Sequence, residues 1–539
     1  SGQGHPPLPV RALARGILMP LQAFIVHPAK GGLDMSTAPA LVEPGNFVIA
    51  ENIEYDISGS KKKRLGTSQY NADVTGASDV IGAIADFWRH GSTVTAVQKF
   101  VAIVEDTIYK DDGDGVWDVV EAAWSATARQ ATQNIVIAQG FAIFSDGTAA
   151  PRKWNQTTDT ALANAPVFEA ATYHLRRLWA FGMTANLSRV DYCAAGDVET
   201  WTGADAGNLI FNEDDGDRVI GISKPFLGRL YVFKGPYKGS THLIGGRSPT
   251  TFEKAEIVSG APCVAHKSII TTTNDIYWVS PYGIHSLSAT QKYGDTEAAF
   301  LSKPIQAEFN RVNFARLNQV AGFHAPHRNI IGWSVPMGSS TTNDKTFVYN
   351  YAQDSWSLWI HTGLDAASFM VAREPSATNT GKPSLFIGSY AGRVYRAERT
   401  ALTDENTNAY NARLRSPVHA HLGDGATPLH EKQFHSVCSF VKPAGAYTAL
   451  LPTTVDGRAA SNVIDLSAGG GADLIGTTFI IGSSVISSGS ESAYIETPIG
   501  DRGRNIQLEW SLGGADQNLE LYGYALRYEP GESTAMERS

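Results

Sequence analysis

A short apolar phrase recurs along the chain between about residues 80 and 400. Each copy is a run of apolar or aromatic residues between polar turns that contain Gly, Asp or Asn. Successive copies start 37 to about 55 residues apart, which brackets the period of a four-stranded propeller blade. The pattern predicts a β-propeller of about seven blades, with six or eight as alternatives, in which each phrase is an inner or middle strand covered on both faces. The copies are FVAIV (100–104), FAIF (141–144), LWAF (178–181), LYVF (230–233), IYWV (276–279), IIGWSV (330–335) and LFIG (385–388).

A second pattern, an aromatic strand on each side of a tight polar turn, follows several copies. Examples are TIYKDDGDGVWDVV (107–120) and FVYNYAQDSWSLWI (347–360). Gly and Asp suit the positive-φ positions of such turns, and a Trp or Tyr after the turn can pack between blades. These segments favour antiparallel hairpins within each blade.

The amino-acid composition and the hydrophobic pattern change near residue 405. The segment 405–530 is rich in Gly, Ser and Ala, and it ends in NIQLEWSL (505–512) and NLELYGYALRY (518–528), which alternate with period two. Such alternation is typical of half-buried strands in an antiparallel sandwich. The prediction is an all-β chain with an extended N-terminal arm (1–30), a β-propeller (31–404), a sandwich-like domain (405–530) and a polar tail (531–539). The best helical candidate is 295–313, despite Pro304.

The N-terminal segment superficially resembles a signal peptide. Arg11 and Arg15 precede an apolar run, GILMPLQAFIV (16–26), but Pro20 and Gln22 interrupt it and no small-residue cleavage site follows. A run of this length is also too short to cross a bilayer. We therefore expect no membrane insertion by this chain, and we interpret 1–30 as an arm that is disordered until it packs on a neighbour.

Composition fits many short strands joined by turns. The chain is 43% hydrophobic and 18% charged, with 52 glycines and 25 prolines. Its formal net charge is −9, which argues against tight, static binding of nucleic acid but not against a conduit that DNA slides through. The widely spaced Cys193, Cys263 and Cys438 indicate buried, reduced thiols, with one undetected bridge as the alternative.

A run of four basic residues, KKKR (61–64), invites a nucleic-acid interpretation. It lies between a turn and a Leu-Gly break, where a basic run more commonly forms a solvated strand edge. The prediction is the solvated edge.

Two acidic runs and several histidines are the candidates for metal binding. DDGDG (111–115) resembles part of a calcium loop with Asp112 and Asp114 as ligands, but it lacks the carboxylate at position twelve and the flanking helices. It is interpreted as a hairpin turn, and EDDGD (213–217) in the same way. The histidines are interpreted as surface residues, because no third ligand accompanies any pair; they are His324, His327, His419, His421, His430 and His435.

Catalytic motifs are not apparent in the sequence. It has no nucleophile elbow, and its Gly-rich stretches at 245–246 and 469–471 lack the lysine and the setting of a phosphate-binding loop. The sequence therefore predicts no catalytic residue, no metal ligand and no cofactor.

Several segments resemble, in order, the tail nozzle, tail tubular and head-completion (stabilisation) proteins of short-tailed bacteriophages. The resemblance covers roughly residues 31–400 and extends weakly to 503–530, and it depends on the ordered set rather than on one motif. The segments that carry it are GGLDMSTAPALVEPGNFVIAENIEYDISGSKKKRLGT (31–67), ETWTGADAGNLIFNEDDGDRVIGISKPFLGRLYVFKG (199–235), the stretch 260–310 and FVYNYAQDSWSLW (347–359).

The resemblance implies a structural virion protein of the phage tail, assembled in the host cytoplasm, and not an enzyme. It implies a homo-oligomeric ring, generally a hexamer, below the portal and adaptor proteins, which contacts tail fibres or spikes. Genomic DNA would pass through the ring transiently, without sequence-specific binding, and the net charge of −9 per subunit would keep it from adhering. The arm at 1–30 is longer than the family pattern.

Two other classes of function remain as alternatives. A receptor-binding or glycan-binding propeller, including a glycosidase, predicts Arg, Asp, Glu and Tyr side chains that converge at one end of the propeller axis. A protein-interaction propeller of the host cell predicts a chain that stays monomeric at high concentration.

Overall fold

The fold is built almost entirely from antiparallel β-sheets. In this computed structural model the described residues are 21–27, 31–75, 79–90, 96–125, 131–288, 300–375, 382–399, 402–405, 407–422, 428, 430–442, 444–445, 447–466 and 493–531. The first five strands are β1 (Gln22–Val26), β2 (Ile49–Glu51), β3 (Ile53–Tyr55), β4 (Lys61–Lys63) and β5 (Gly66–Gln69). The described helical pieces are short: His266–Ser268, Lys303–Ile305, Phe314–Gln319 and Pro326–Arg328 are 3₁₀ turns, and Gln306–Phe309 is one α-helical turn.

Seven antiparallel sheets follow one another along residues 81–399 as the blades of a β-propeller. Blades 1 to 3 consist of β6 (Ile81–His90), β7 (Ala96–Val104), β8 (Thr107–Asp111), β9 (Trp117–Glu121); β10 (Asn134–Ala138), β11 (Phe141–Ser145), β12 (Arg152–Trp154), β13 (Asp159–Ala161); and β14 (Ala170–His174), β15 (Arg177–Phe181), β16 (Arg189–Tyr192), β17 (Gly207–Ile210).

Blades 4 to 7 continue the order, and blade 5 has three strands within the described residues. They consist of β18 (Arg218–Ile222), β19 (Leu230–Gly235), β20 (Ser240–Gly245), β21 (Glu253–Ser259); β22 (Ile270–Thr271), β23 (Ile276–Val279), β24 (Ile284–Ser286); β25 (Ala321–Ala325), β26 (Ile330–Val335), β27 (Lys345–Asn350), β28 (Ser355–Trp359); and β29 (Ala366–Ala372), β30 (Ser384–Ser389), β31 (Val394–Arg399).

Each recurrent apolar phrase is the second strand of one blade. All six residues of β19 are buried, as are all six of β26 and of β30. Apolar side chains on both faces are expected where a sheet packs between two neighbouring sheets. The sequence prediction of a propeller with about seven blades is confirmed, and so is the position of the phrases inside the blades.

The ring of blades is closed by the N-terminal part of the chain. Strand β6 of blade 1 lies beside β10 of blade 2 on one side and beside β29 of blade 7 on the other. The outer strand of blade 7 is β5, which pairs antiparallel with β31 and aligns Gln69 with Tyr395 and Ser68 with Arg396. Blade 7 therefore contains strands from both ends of the propeller sequence, and this pairing closes the ring.

A two-layer sandwich packs beside the propeller. Its remaining strands are β34 (Ala412–Arg415), β35 (Lys432–Val441), β36 (Thr448–Val455), β37 (Arg458–Asp465), β38 (Ala493–Gly503), β39 (Ile506–Leu512) and β40 (Glu520–Pro530), and β32 (Thr403–Asp404) pairs with β33 (Asn408–Ala409) before them. One layer has the order β3-β4-β40-β35-β38, with β1 also on β40. The other has the order β2-β34-β39-β36-β37.

The second layer is continuous with blade 6. Strand β2 pairs parallel with β28, with Glu51 opposite Leu358, so one nine-stranded sheet runs from the propeller into the sandwich. A single apolar cluster crosses this junction and includes Trp333 and Trp356 of blade 6 as well as Trp510 and Tyr524 of the sandwich. The two parts therefore share one core.

Two sequence expectations differ from the structure. Residues 22–26 of the predicted arm form β1 on the chain's own sheet, because Phe24 and Val26 pack against the sandwich core; residues 1–20 and 28–30 lie outside the described residues. The helical candidate 295–313 yields only the turns Lys303–Ile305 and Gln306–Phe309 among its described residues.

The predicted division at residue 404 stays a prediction. Strand pairing shows that β2, β3 and β4, which precede the blades in the sequence, belong to the sandwich sheets. Strand β2 pairs with β34, and β4 pairs with β40.

Candidate functional site

A central channel passes between the inner strands of the seven blades. Its volume is about 800 Å³, and residues of all seven inner strands or the turns beside them line it. Each inner strand is the end strand of its sheet, so one backbone edge of each strand is left for the channel. Unpaired backbone N–H and C=O groups need water or a ligand as partners, which makes the wall polar even where the side chains are apolar.

Four basic or imidazole side chains line the channel from blades 4, 5 and 6. Lys224 lies two residues after the end of β18, His266 and Lys267 lie in the 3₁₀ turn before β22, and His324 lies in β25. The Lys267 Nζ donates a hydrogen bond to the Gly82 carbonyl of blade 1, at 2.6 Å. Because blades 5 and 1 are not neighbours in the ring, this side chain crosses the lumen.

The electrostatic surroundings of these groups are basic. Burial, together with the positive charges of Lys267 and Lys224, lowers the pKa of His266 to about 4. Burial also lowers the pKa of Lys267 to about 7. The Lys224 side chain is accessible to solvent. Burial by the surrounding protein still removes part of its hydration and lowers its pKa.

Asp86 is the carboxylate among the described residues that line the channel. Its two carboxyl oxygens accept hydrogen bonds from Gln98 Nε2 and Trp88 Nε1, each at 2.9 Å. Burial raises the Asp86 pKa. The channel thus has two lysines against one carboxylate, in a chain whose overall charge is negative.

Three of the four residues of the basic run at 61–64 are buried, so the prediction of a solvated strand edge is wrong. Lys61, Lys63 and Arg64 are at most 1% exposed. The Arg64 guanidinium forms a two-pronged ion pair with Asp404, with N–O distances of 2.9 and 2.5 Å. Burial alone would raise the Asp404 pKa, but Arg64 and the neighbouring His361 hold it well below its usual range.

The two buried lysines of this run have aromatic and carbonyl partners instead of a close carboxylate. The Lys61 Nζ lies 5.4 Å from the Phe47 ring centre and donates to the Gly59 carbonyl at 3.2 Å. The Lys63 Nζ lies 4.3 Å from the Tyr410 ring centre. Burial lowers the pKa of Lys61 to about 7, and burial with Arg64 nearby lowers that of Lys63 to about 8. The sequence alone does not show that β4, which contains the lysines of this run, pairs with the distant strand β40.

The acidic runs form turns, as predicted. Asp111 accepts from the Tyr70 hydroxyl at 2.7 Å and from the Gly113 N–H at 2.9 Å. Asp112 pairs with Lys99 and Lys110, each at 2.7 Å, and Asp114 accepts from the Val116 N–H at 3.1 Å. These carboxylates hold the β8–β9 hairpin.

The run at 213–217 forms the β17–β18 turn. Asp217 accepts from three successive backbone N–H groups, those of Tyr237, Lys238 and Gly239. Asp215 binds the buried Lys234 at 2.7 Å. No group of three or more His, Cys, Asp or Glu side chains among the described residues is placed to hold a metal ion.

The interpretation of the histidines as surface residues is wrong for His419. It is 3% exposed, its Nε2 lies 2.9 Å from the Tyr524 hydroxyl, and burial lowers its pKa to about 4. His421 is exposed, and the Nε2 of His435 lies 3.4 Å from Glu529. His324 is the one predicted candidate that lies in the central channel.

The remaining candidates are the three cysteines and the Gly-rich stretches. Cys193, Cys263 and Cys438 are buried free thiols, as predicted. Gly245 and Gly246 lie at the end of β20, and residues 469–471 lie outside the described residues. No described helix is long and apolar enough to cross a membrane.

The sequence did not single out Lys224, His266 or Lys267. They lie beside the inner strands β18 and β22, which the recurrent apolar pattern did not predict. Such positions are common in any β-protein, and only the ring arrangement brings the three residues to one channel.

Comparisons with known proteins identify no family for this chain. No family model and no curated protein matches the chain. Solved structures similar to it include YCF48 bound to a D1 peptide (TM-score 0.36, 8% identity, covering 65% of this chain and 97% of that one) and the Neurospora crassa Pan2 WD40 domain (0.35, 11%, 64% and 98%). A glycoside hydrolase also matches, with a TM-score of 0.25 and 11% identity over 85% of this chain and 100% of that one.

Proposed function

We propose that the chain is the structural subunit of a phage tail nozzle, a homo-oligomeric, hexameric ring through which genomic DNA leaves the virion. The observation that carries this proposal is the nine-stranded sheet that runs from blade 6 into the sandwich. Sheet hydrogen bonds along such a seam transmit force between the two parts without a flexible linker. A tube wall that withstands DNA passage needs this stiffness.

Closure of the propeller supports a structural role. Strand β5 completes blade 7, and just before it Arg64 is tied to Asp404 at the other end of the propeller segment. A closed ring with its two ends cross-linked resists opening, because several buried contacts must break together.

Edge strands offer contacts to neighbouring subunits and tail proteins. Among the described residues, strand β37 ends the nine-stranded sheet, and its residues 458–461 are exposed. An exposed edge is a template for pairing with another chain. In the proposed tail, such edges bind the next subunit, the adaptor on the portal side, and fibres or spikes.

The alternative of a glycosidase receives no support from the central channel. Hydrolysis of glycosides commonly needs a pair of carboxyl groups across the bond that breaks. The described channel lining has Asp86 as its carboxylate, and hydrogen bonds from Gln98 and Trp88 engage both of its oxygens.

The test is the assembly state of the full-length chain. Native mass spectrometry and negative-stain images at increasing protein concentration are expected to give a closed ring of one stoichiometry with a central opening. A chain that stays monomeric up to high concentration would argue for the interaction propeller instead. Released oligosaccharide after incubation with host surface polysaccharide would argue for the glycosidase.

A second measurement addresses DNA passage. The purified ring is expected not to retain a labelled DNA duplex at physiological salt, because each subunit carries a net charge of −9. A ring lumen lined mainly by Lys and Arg, with salt-sensitive DNA retention, would contradict the proposed conduit.

A further inference from the structure

The two layers of the sandwich each have an outer face that points away from the shared core. The rings of Trp510 and Tyr524, one from each layer, lie 4.9 Å apart inside the sandwich. Successive side chains of a strand point to opposite faces, so the residues next to these two point outward, in opposite directions for the two layers. We call the outer face of β1, β40, β35 and β38 the β1 face, and the outer face of β34, β39, β36 and β37 the β37 face.

The β1 face carries an apolar patch that spans its four strands. The His27 and Phe440 rings lie 4.8 Å apart, and the Phe440 and Tyr494 rings lie 5.4 Å apart. In the next row across the strands, Ile25 lies opposite the small residue Ala525. Ile25 is 62% exposed and Tyr494 is 48% exposed. These side chains therefore form one continuous surface that is open to solvent.

The β37 face carries a second apolar patch. Leu450 and Val463 lie opposite each other in the pairing of β36 with β37, and they are 49% and 52% exposed. The residues that follow them, Leu451 and Ile464, are completely buried, so Leu450 and Val463 point away from the core. Contiguous exposed apolar residues commonly mark an interaction surface, whereas single ones do not.

The charged side chains beside both patches are paired within their own face. On the β1 face, Arg527 binds Glu496 at 2.9 Å. On the β37 face, Glu509 binds Arg413 at 2.9 Å and Arg415 at 2.5 Å. These two faces can therefore pack together without burying an uncompensated charge, although the whole chain has a net charge of −9. This property suits them to contact between copies of the same chain.

The two faces are large enough for a specific contact. Four strands span about 20 Å, and strands of this length extend about 25–30 Å. Packing one such face on the other removes on the order of 1,000 Å² from water in total, which is the size that a specific interface needs.

We propose that the β1 face of one subunit packs on the β37 face of the next subunit. This inference rests on the homo-oligomeric ring of the proposed function and names the surfaces that build it. The contact joins two different surfaces, so every subunit keeps one face of each kind for a further neighbour. Such a contact forms a ring when the rotation between subunits closes. A face that paired with its own copy would stop at a dimer.

Two substitutions block one face each: Ile25→Lys on the β1 face and Val463→Lys on the β37 face. Each places an unpaired ammonium group in the contact and should weaken association by about hundredfold or more. Native mass spectrometry of the full-length protein measures the association, and thermal melting confirms that each variant is folded. Val119→Lys is the matched control, because Val119 is 53% exposed in β9 of blade 1. It should form rings like the unmodified protein.

A mixture of the two variants tests whether the contact joins different faces. Each variant alone should be monomeric. In the mixture, the intact β37 face of the Ile25→Lys chain should bind the intact β1 face of the Val463→Lys chain. The product is a dimer of one chain of each kind that grows no further, which isotope labelling of one variant identifies.

The possible failures are distinguishable. Rings formed by either variant, or a mixture without mixed dimers, would overturn the contact and leave the homo-oligomeric ring standing. Dimers of Val463→Lys alone would show that the β1 face pairs with itself and would also overturn it. An unmodified chain that stays monomeric up to high concentration would overturn the ring of the proposed function, and the contact with it.

Discussion

At the scale of single residues, the buried cations at 61–64 define how the N-terminal segment is held. The Arg64 side chain donates five hydrogen bonds that join three parts of the chain: its partners are Asn52, Leu65, Ile360 and both oxygens of Asp404. Arginine suits this place because its planar group offers donors in several directions at once. A basic run in a sequence indicates charge, but its surroundings depend on which distant strands cover it.

Asp404→Asn should strongly destabilise the protein. The substitution leaves the Arg64 charge buried without its counter-charge, and removal of one partner from a buried pair costs about 3–5 kcal/mol. Chemical denaturation measures the change in the free energy of unfolding. Asp118→Asn is the control, since Asp118 pairs with Lys110 at 2.9 Å while 50% exposed and should cost less than about 1 kcal/mol. Equal effects of the two substitutions would contradict the assignment.

Buried Lys61 should make stability depend on pH. Burial lowers its pKa in the folded protein to about 7, whereas an unfolded lysine has a pKa of about 10.4. Between these values the unfolded state binds more protons, so stability should rise as pH increases above about 7, by up to about 1.4 kcal/mol per pH unit for each proton. Below about pH 7 Lys61 is charged in both states and contributes no slope.

Denaturation of the Lys61→Met variant between pH 6.5 and 9 tests this linkage. The variant should be more stable near pH 7 and show a shallower rise. The rest of the rise comes from other lysines whose pKa is lowered by burial, among them Lys267 at about 7 and Lys63 and Lys432 at about 8. Lys62→Met is the control, because Lys62 is adjacent but only partly buried. An unchanged pH slope in Lys61→Met would show that Lys61 is not the source.

At the scale of elements, the sequence was most informative about the second strand of each blade. These strands are buried on both faces, so nearly every residue is apolar, and the run stands out without knowledge of its neighbours. The inner strands were harder to recognise because they border the channel and mix apolar with polar residues, as in β25 and β29. Strand β5 carries only GTSQ, and its role depends on a partner more than 300 residues away.

Tyr70 joins the closing strand to the first and last blades. Its N–H donates to the Val394 carbonyl at 2.8 Å, its hydroxyl donates to Asp111, and its ring lies 5.1 Å from that of Phe386. Tyr70→Ala removes these ring contacts and leaves the Asp111 carboxylate short of a donor. We expect a loss of about 3–5 kcal/mol, as for other large-to-small changes in cores.

Hydrogen exchange checks the location of this effect. Protection should fall first in β5, β31 and the β8–β9 hairpin, where the closure is made. Tyr237→Ala is the control, because Tyr237 is 73% exposed and should change neither stability nor exchange. Uniform loss of protection over all blades would mean that closure is not a local property of β5.

At the scale of the whole molecule, the propeller and the sandwich share strands as well as a core. Phe47 and Ile53, from the N-terminal part of the chain, are completely buried in a cluster that includes Leu508 and Leu526 of the sandwich. The predicted boundary at residue 404 therefore does not separate two hydrophobic cores, because one core contains residues from both sides of it.

The fragment 31–404 should consequently fold poorly by itself. Its strands β2, β3 and β4 would lose β34 and β40 as partners and expose apolar surface, which increases binding of a hydrophobic dye. Dye fluorescence and thermal melting measure this, and addition of a 405–531 fragment should restore a cooperative melt. The fragment 66–399, which retains β5 but not β2–β4, serves as the comparison. A cooperative melt of 31–404 at the temperature of the intact chain would refute the prediction.

The sequence by itself determined the all-β class, the repeated blade and the turns at the acidic runs. Those features depend on local periodicity and on turn chemistry, which neighbouring residues express directly. Only the tertiary structure decided the burial of Lys61, Lys63 and Arg64, the pairing of β5 with β31, and the gathering of Lys224 and His266 at the channel. Each of these depends on segments far apart in the chain, and burial, pairing and charge proximity arise only when such segments meet.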